Sequence, residues 1–234
     1  MVYDIAGFMT EMDPIYDMCI SRCAKYAAPE GCKAEISMSR SDPLYKSWLE
    51  ENDRTDDEIS EYMFFSEWFY RAVLSKNAFM LHASAIAYNG KAVLFSAPSG
   101  LGKSTHTGHW KNVYGDAVVF LNDDKPLISL RENGIFVSGT PFSGKHDISE
   151  NITVPLHAVC FLYRAREDHI EPISSAEGFR FSWLQTIRNI GPKTSAMMLE
   201  SVKQYAENTR FYAMGCTDSD HAAEVARNAI FEIG

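Results

Sequence analysis

The stretch Ala97-Pro98-Ser99-Gly100-Leu101-Gly102-Lys103-Ser104 constrains the fold more than any other part of the chain. It lies between an apolar, β-rich run and a segment of helical period, so it predicts a strand that turns directly into a helix. Such a turn gathers successive backbone N–H groups at a helix N-terminus, where the helix dipole also favours negative charge. Phosphate oxygens require that many donors at short range. In this reading Ser99, Gly100, Leu101, Gly102 and Thr105 offer backbone donors, Lys103 a mobile charge for β- and γ-phosphates, and Ser104 a hydroxyl able to ligate Mg²⁺. The pattern GxxxxGK[ST] is met except at its first position, where Ala97 stands.

The approach to this loop is equally legible. Asn89-Gly90 between two β-rich runs is a strong two-residue hairpin signal. Counting outward, Tyr88 faces Lys91 and His82 falls opposite Ala97 at the mouth of the loop. Beyond the loop, Ser104 to Tyr114 reads as a helix closed by Gly115, Ala117 to Asn122 as a buried strand, and Leu127 to Leu130 with Ile135 to Ser138 as a second hairpin around Asn133-Gly134. His157 to Tyr163 and Arg210 to Cys216 are further strands. Residues 175–190 and 194–207 are helical, parted by Pro192, and Asp218 caps a last amphipathic helix.

The first half is less explicit. Residues 1–54 predict a small strand-containing lead-in around Tyr3 to Met9 and Ala34 to Met38. Thr55 and Glu58 have capping-box spacing before one amphipathic helix over 55–76, whose aromatic stripe reads as packing. The division is thus an N-terminal α+β extension over 1–77 and an α/β catalytic domain over 78–234. With 234 residues, 46% of them hydrophobic, a single substantial core is affordable, and a net charge of −9 provides no positive field for nucleic acid or a membrane surface. No apolar run reaches membrane-spanning length, the N-terminus lacks a basic secretory n-region, and the cysteines have no zinc-ligand spacing, which together predict a cytoplasmic chain with reduced thiols.

Leu121-Asn122-Asp123-Asp124 ends the strand after the loop. In a parallel α/β sheet the strand ends share an edge with helix N-termini, so the two aspartates should meet the loop. Beside a triphosphate, one carboxylate can hold Mg²⁺ and the other accept a proton from an attacking hydroxyl. His82, on the same edge, can hydrogen-bond a carboxylate or a phosphate oxygen, while His106 and His109 read as exposed surface. Counting outward from Asn133-Gly134 places Asp124 and Asp123 opposite Ser143 and Gly144, which returns the segment Gly139 to His146 to the same edge. Lys145 and His146 could then offer charge to a transferring phosphoryl group. Arg164, Arg166, Arg188 and Arg210 are unranked phosphate clamps.

These motifs, Leu81-His82-Ala83, Ser99 to Ser104 and Asn122-Asp123-Asp124, resemble the catalytic domain of HPr kinase/phosphorylase and, more distantly, ATP-dependent phosphoenolpyruvate carboxykinase. The resemblance covers residues 78–145 best and implies a P-loop-containing mixed sheet with flanking helices, like the C-terminal domain of HPr kinase. It further implies that Lys103 and Ser104 bind phosphate and Mg²⁺, that Asp124 is the base supported by His82, and that Asp123 assists with metal and water. That family's downstream signature has no counterpart here, Gly139 to Lys145 standing in its place. The small stand-alone HPr-kinase-like proteins match better.

The expectation is an ATP- and Mg²⁺-dependent phosphotransferase moving the γ-phosphoryl group to a hydroxyl, such as Ser or Thr of a protein or peptide. The competing readings are a nucleotide-binding regulatory module without turnover, a carboxykinase-like lyase and a nonspecific ATPase. Acceptor, ATP versus GTP, and homo-oligomerisation stay open.

Overall fold

The computed structural model describes residues 1–186 and 191–232. The chain begins with strands β1 (Val2–Ile5) and β2 (Phe8–Met12), helix α1 (Asp17–Cys23), strand β3 (Ile36–Met38), and helices α2 (Pro43–Glu51) and α3 (Glu58–Leu74). Strands β4 (Ala78–Met80), β5 (Ala83–Tyr88) and β6 (Lys91–Ser96) lead into α4 (Lys103–Tyr114), followed by β7 (Val118–Asn122), β8 (Leu127–Arg131) and β9 (Gly134–Ser138). The long β10 (Thr153–Arg164), β11 (His169–Ile173), α5 (Ser175–Leu184), α6 (Pro192–Glu207), β12 (Phe211–Cys216) and α7 (Asp220–Phe231) complete it.

β1, β2 and β3 form a small sheet, and the other nine strands form a curled mixed sheet. The first hairpin has the register read from Asn89-Gly90, with Tyr88 opposite Lys91 and Ala83 opposite Ser96, because both turn residues adopt positive φ as a type I′ turn demands. The uninterrupted strand expected before that turn is in fact two. It breaks at Leu81 and His82, so that β4 pairs with β8 while β5 pairs with β6 and β7.

β6 and β7 share a direction, as expected, but they are not neighbours. β5 lies between them, antiparallel to both. β6 and β7 therefore still run in the same direction, as do β10 and β12, which pair in parallel alongside β6. The start of β5 and the ends of β6 and β7 consequently share one edge.

The second hairpin is shifted from its expected register. Arg131 pairs with Gly134, so Glu132 and Asn133 form the turn and Gly134, at φ +131°, opens the strand. Leu127 faces Ser138, and the extrapolated pairing of Asp124 with Ser143 does not form part of the ladder. The shift preserves which side chains share a face.

Boundaries move elsewhere for identifiable reasons. The helix expected over 55–76 is Glu58–Leu74, because Asp57 rather than Thr55 caps it and accepts the Ser60 N–H at 2.8 Å. Two further helices, α1 and α2, precede it, so the first 77 residues hold three helices and not one. Ser219 stands at the N-cap of α7, and the Asp218 carboxylate binds His109 instead. Pro192 opens α6 as its first residue, where a missing N–H costs nothing. The expected helical stretch 187–190 lies outside the described residues.

Three apolar clusters hold these layers. Phe64, Phe65, Phe69 and Tyr70 of α3 pack with Tyr3, Ile5 and Tyr26, and the buried Glu61 accepts the N–H groups of Ile15 and Tyr16 at 2.9 and 3.1 Å. Met198, Val202 and Tyr205 of α6 cover one face of the large sheet. Trp110 of α4 with Ala222, Ala226 and Ile230 of α7 covers the other. Side chains of this size are worth roughly 1.5–3 kcal/mol each on burial, enough to fix α4, and hence the turn before it, against the sheet.

Candidate functional site

The turn between β6 and α4 leaves Ser99, Gly100, Gly102, Ser104 and Thr105 exposed. Gly100 and Gly102 sit at φ +80° and +87°, a conformation that glycine reaches without steric cost. The first N–H groups of α4 have no partner inside the helix, and the residues that carry them, Lys103, Ser104 and Thr105, line one cleft. Lys103 is buried, and its Nζ donates to the Ala97 carbonyl at 3.0 Å. Burial lowers its pKa, opposed by the carboxylates of Asp124 and Asp123.

Asp123 and Asp124 directly follow β7, line the same cleft as this turn and face different partners. Asp123 is buried and accepts the Ser84 hydroxyl at 2.7 Å, and Ser84 in turn meets the Thr107 hydroxyl at 2.9 Å. One residue of β5 and one of α4 thereby orient it. Asp124 Oδ1 lies 3.2 Å from His82 Nε2. Burial raises the Asp124 pKa, but the His82 hydrogen bond and the charges of Lys125, His82 and Lys103 outweigh it and leave the carboxyl below its usual range.

His82 is itself held twice by Gln185, through its backbone N–H to the Gln185 carbonyl at 2.8 Å and through Nδ1 to the side-chain amide at 3.0 Å. The Gln185 atom in this contact is Oε1, which only accepts, so His82 Nδ1 is the donor. Ser96 adds a hydroxyl to the His82 carbonyl at 2.8 Å. The start of β5 is thus tied to the end of β6.

Asn122 fixes the turn that aims the aspartates. Fully buried, its side-chain oxygen accepts the N–H groups of Asp124 and Lys125 at 2.9 and 2.6 Å, and its amide donates to Thr140. Thr140 also meets the Tyr70 hydroxyl at 2.9 Å, so α3 supports the same turn.

The segment 139–147 does return to the edge, by a route other than strand register. Gly144 stands at φ +75°, and a Cβ there would lie 2.8 Å from Asp124 Cβ. Its N–H donates to the Tyr62 hydroxyl at 3.1 Å and its carbonyl accepts from Arg22 at 2.7 Å, while the Arg22 guanidinium lies over the Tyr62 ring at 4.8 Å. Lys145 and His146 are exposed at the rim of the resulting cleft.

His82, Lys103, Ser104, Asp123, Asp124 and Lys145 therefore line one open cleft of about 540 Å³, with Ser99, Gly100, Gly102 and Thr105. Leu101 turns to a neighbouring cleft on the far side of the loop. Of the arginines, Arg164 reaches the loop and donates to the Gly100 carbonyl at 3.3 Å. Arg210 binds His157 elsewhere, Arg166 is exposed, and Arg188 lies outside the described residues. His106 is buried rather than exposed, and His109 is held between Asp218 and Asp220 at 2.8 and 2.7 Å.

Arg22, Tyr62, Lys125 and Gln185 are site residues that sequence reasoning missed. None lines the cleft itself; Arg22 and Tyr62 hold Gly144, Gln185 holds His82, and the Lys125 charge acts on Asp124, all through tertiary contact and without a local motif. Asn122 had a signal, since an asparagine followed by two polar residues at a strand end is typical of a side-chain-to-backbone turn.

For a magnesium ion, the oxygens of Ser104 and the free side of the Asp123 carboxylate suit a hard cation. Among the described residues no three His, Cys, Asp or Glu side chains form a metal-holding group, so the protein alone does not build a cage. No helix among the described residues is long and apolar enough to cross a membrane.

Among solved structures, the chain is similar to the Hpr(Ser) kinase/phosphatase from Coxiella burnetii, at 10% identity and a TM-score of 0.38, over 66% of this chain and 97% of that one. No curated protein matches. The model of the family described as SynChlorMet cassette protein ScmC matches residues 49–232, well over half of the sequence, and the chain belongs to that family.

Proposed function

We propose that this protein is an ATP- and Mg²⁺-dependent phosphotransferase that moves the γ-phosphoryl group to a hydroxyl, the side chain of Ser or Thr in a protein or peptide. The observation that carries the proposal is the pairing of Asp124 with His82 in the same cleft as Lys103 and the glycine-rich turn. A module that only binds nucleotide gains nothing from a second carboxylate beside the γ-phosphate, since like charges repel there. A transferase gains a proton acceptor.

The roles follow from the positions. The backbone N–H groups of 99–105 cradle the phosphates as a phosphate loop, and Lys103, released from the Ala97 carbonyl, neutralises β- and γ-oxygens. Bound Mg²⁺ supplies charge neutralisation on the phosphates, and Ser104 with Asp123 would hold it. Asp124, kept ionised, accepts the hydroxyl proton of the acceptor and orients it for in-line attack, while His82 and Gln185 fix the carboxylate. Lys145, exposed at the rim, is placed to meet the transferring phosphoryl group or the acceptor.

The test is a transfer assay with γ-labelled ATP against the peptide and protein products encoded beside this cassette protein, in the wild type and in Asp124→Asn. Label in an acid-stable phosphoserine or phosphothreonine, lost in the variant, is expected. Label released only as free phosphate would make the protein an ATPase, and intact ATP after binding would make it a regulatory module.

A further inference from the structure

The glycine-rich loop is a wall between two clefts. Gly100, Gly102 and Thr105 line the cleft that holds Asp124, and they also line a second one of about 530 Å³ on the other side, closed by Arg164 and by the segment 216–218 after β12. This second cleft plays no part in the chemistry described above. Its outer wall is firmly built. The buried Asp168 accepts the Thr217 N–H at 2.6 Å and the His221 ring at 2.8 Å, and His109 ties Asp218 to α4.

One group in it lacks a partner. His106 lines the cleft and is 3% exposed. Its Nε2 accepts the Trp110 indole N–H at 3.2 Å, which places the ring proton on Nδ1 of a neutral imidazole. Burial holds the pKa down at about 4, so the ring stays neutral near pH 7. Nδ1 is buried and has no hydrogen-bond partner. A buried donor left unsatisfied is costly and calls for an acceptor.

The direction of a bound triphosphate identifies that acceptor. In a phosphate loop the lysine and the metal-ligating hydroxyl meet the β- and γ-phosphates, and the backbone cradles the α- and β-phosphates. A triphosphate whose γ-phosphate sits beside Lys103 and Asp124 and whose other phosphates follow the backbone donors would run toward Thr105, which lines both clefts, and so toward the second one. A different apolar cleft also touches the loop, at Ala97 and Pro98, but Gln185 lines it, and Gln185 holds His82 on the acceptor side.

The geometry points to this second cleft as the nucleoside site of the triphosphate donor, in which His106 Nδ1–H donates to an oxygen of the α-phosphate or ribose and the Asp218 carboxylate accepts from the ribose hydroxyls. The inference rests on the phosphate-loop reading above. It makes the donor a nucleoside triphosphate and not an inorganic polyphosphate, because the second cleft contributes to binding only when a nucleoside fills it.

Isothermal titration in Mg²⁺ compares ATP with inorganic triphosphate, in the wild type, His106→Phe and Asp218→Asn. His106→Phe keeps an aromatic ring against Phe95, and Asp218→Asn is a surface change that leaves the core untouched. The wild type is expected to prefer ATP by about tenfold or more, the scale of one hydrogen bond to a charged group. Each variant should narrow that preference while inorganic triphosphate binds as before. Equal affinity for the two ligands in the wild type, or an unchanged preference in Asp218→Asn and in a folded His106→Phe, would overturn the nucleoside site alone. Absence of binding by both ligands in the wild type would overturn the phosphate-loop reading with it.

Discussion

Replacing Gly144 by alanine tests how closely segment 139–147 is fitted to Asp124. Two costs are separable. At φ +75° an L-residue is strained by about 1–2 kcal/mol, and the new Cβ would meet Asp124 Cβ at 2.8 Å, an overpacking worth about 1–3 kcal/mol. Gly31 has φ +85° with nothing within 4 Å of its notional Cβ, so Gly31→Ala carries the first cost without the second. Thermal unfolding should therefore show Gly144→Ala lowered by roughly 4–20 °C and Gly31→Ala by less than half as much, given about 2–4 °C per kcal/mol for a chain of this size. Displacement of Asp124 by this clash disturbs its 3.2 Å contact with His82. Phosphoryl transfer should then fall by about 10- to 100-fold while Mg·ATP binding persists, since misplacement of order 1 Å costs that much. Equal destabilisation by the two substitutions, together with undiminished transfer in Gly144→Ala, would refute the close fit.

Further outcomes follow from the same contacts. Lys103→Ala should weaken Mg·ATP binding in a titration, whereas Asp124→Asn should bind normally and lose transfer by about a hundred-fold or more. Glu61→Gln removes a fully buried carboxylate that accepts two backbone N–H groups and has Arg40 Nε at 3.1 Å; Arg40 keeps Asp56 and the amide keeps one acceptor oxygen, so denaturant unfolding should register a loss of about 1–3 kcal/mol. Burial lowers the His109 pKa, but hydrogen bonds to Asp218 and Asp220 dominate and raise it above 6.5. The stabilisation from His109 is therefore complete below about pH 6.5 and fades as pH rises through the higher folded-state value. The stability difference between wild type and His109→Gln should shrink across that window, and a difference independent of pH from 6 to 8.5 would contradict the clamp.

How much of this could be read from sequence depended on how local each determinant was. Asn89-Gly90 set the register that brings His82 to the loop, because both residues of that turn need positive φ and the dipeptide supplies them. The similar dipeptide Asn133-Gly134 misled, since the glycine serves as the first strand residue and the turn is made one position earlier. The Asp-Asp pair met the loop although the sheet is not parallel there, the intervening β5 having restored a common direction. Tyr62 sat within a helical aromatic stripe and read as packing. Its ring does pack against Phe142, yet its hydroxyl also holds Gly144. Arg22 and Gln185 gave no signal at all, as nothing in their own neighbourhoods differs from an ordinary helix end.

The span of chain between partners divides the cleft into an early and a late half. Ser96 with His82, and Ser84 with Asp123, are separated by 14 and 39 residues and lie on one hairpin and the strand that follows. Gln185 with His82, and Arg22 with Gly144, are separated by 103 and 122 residues. Short loops close at lower entropic cost than long ones. A folding chain can thus assemble the loop, Asp123 and the start of β5 as one compact unit, while the orientation of His82 and the wall beside Asp124 wait for both ends of the chain to dock. Amide exchange should report the same order in reverse on partial unfolding, with the N–H groups of His82 and Gly144 opening before those of β5 and β6.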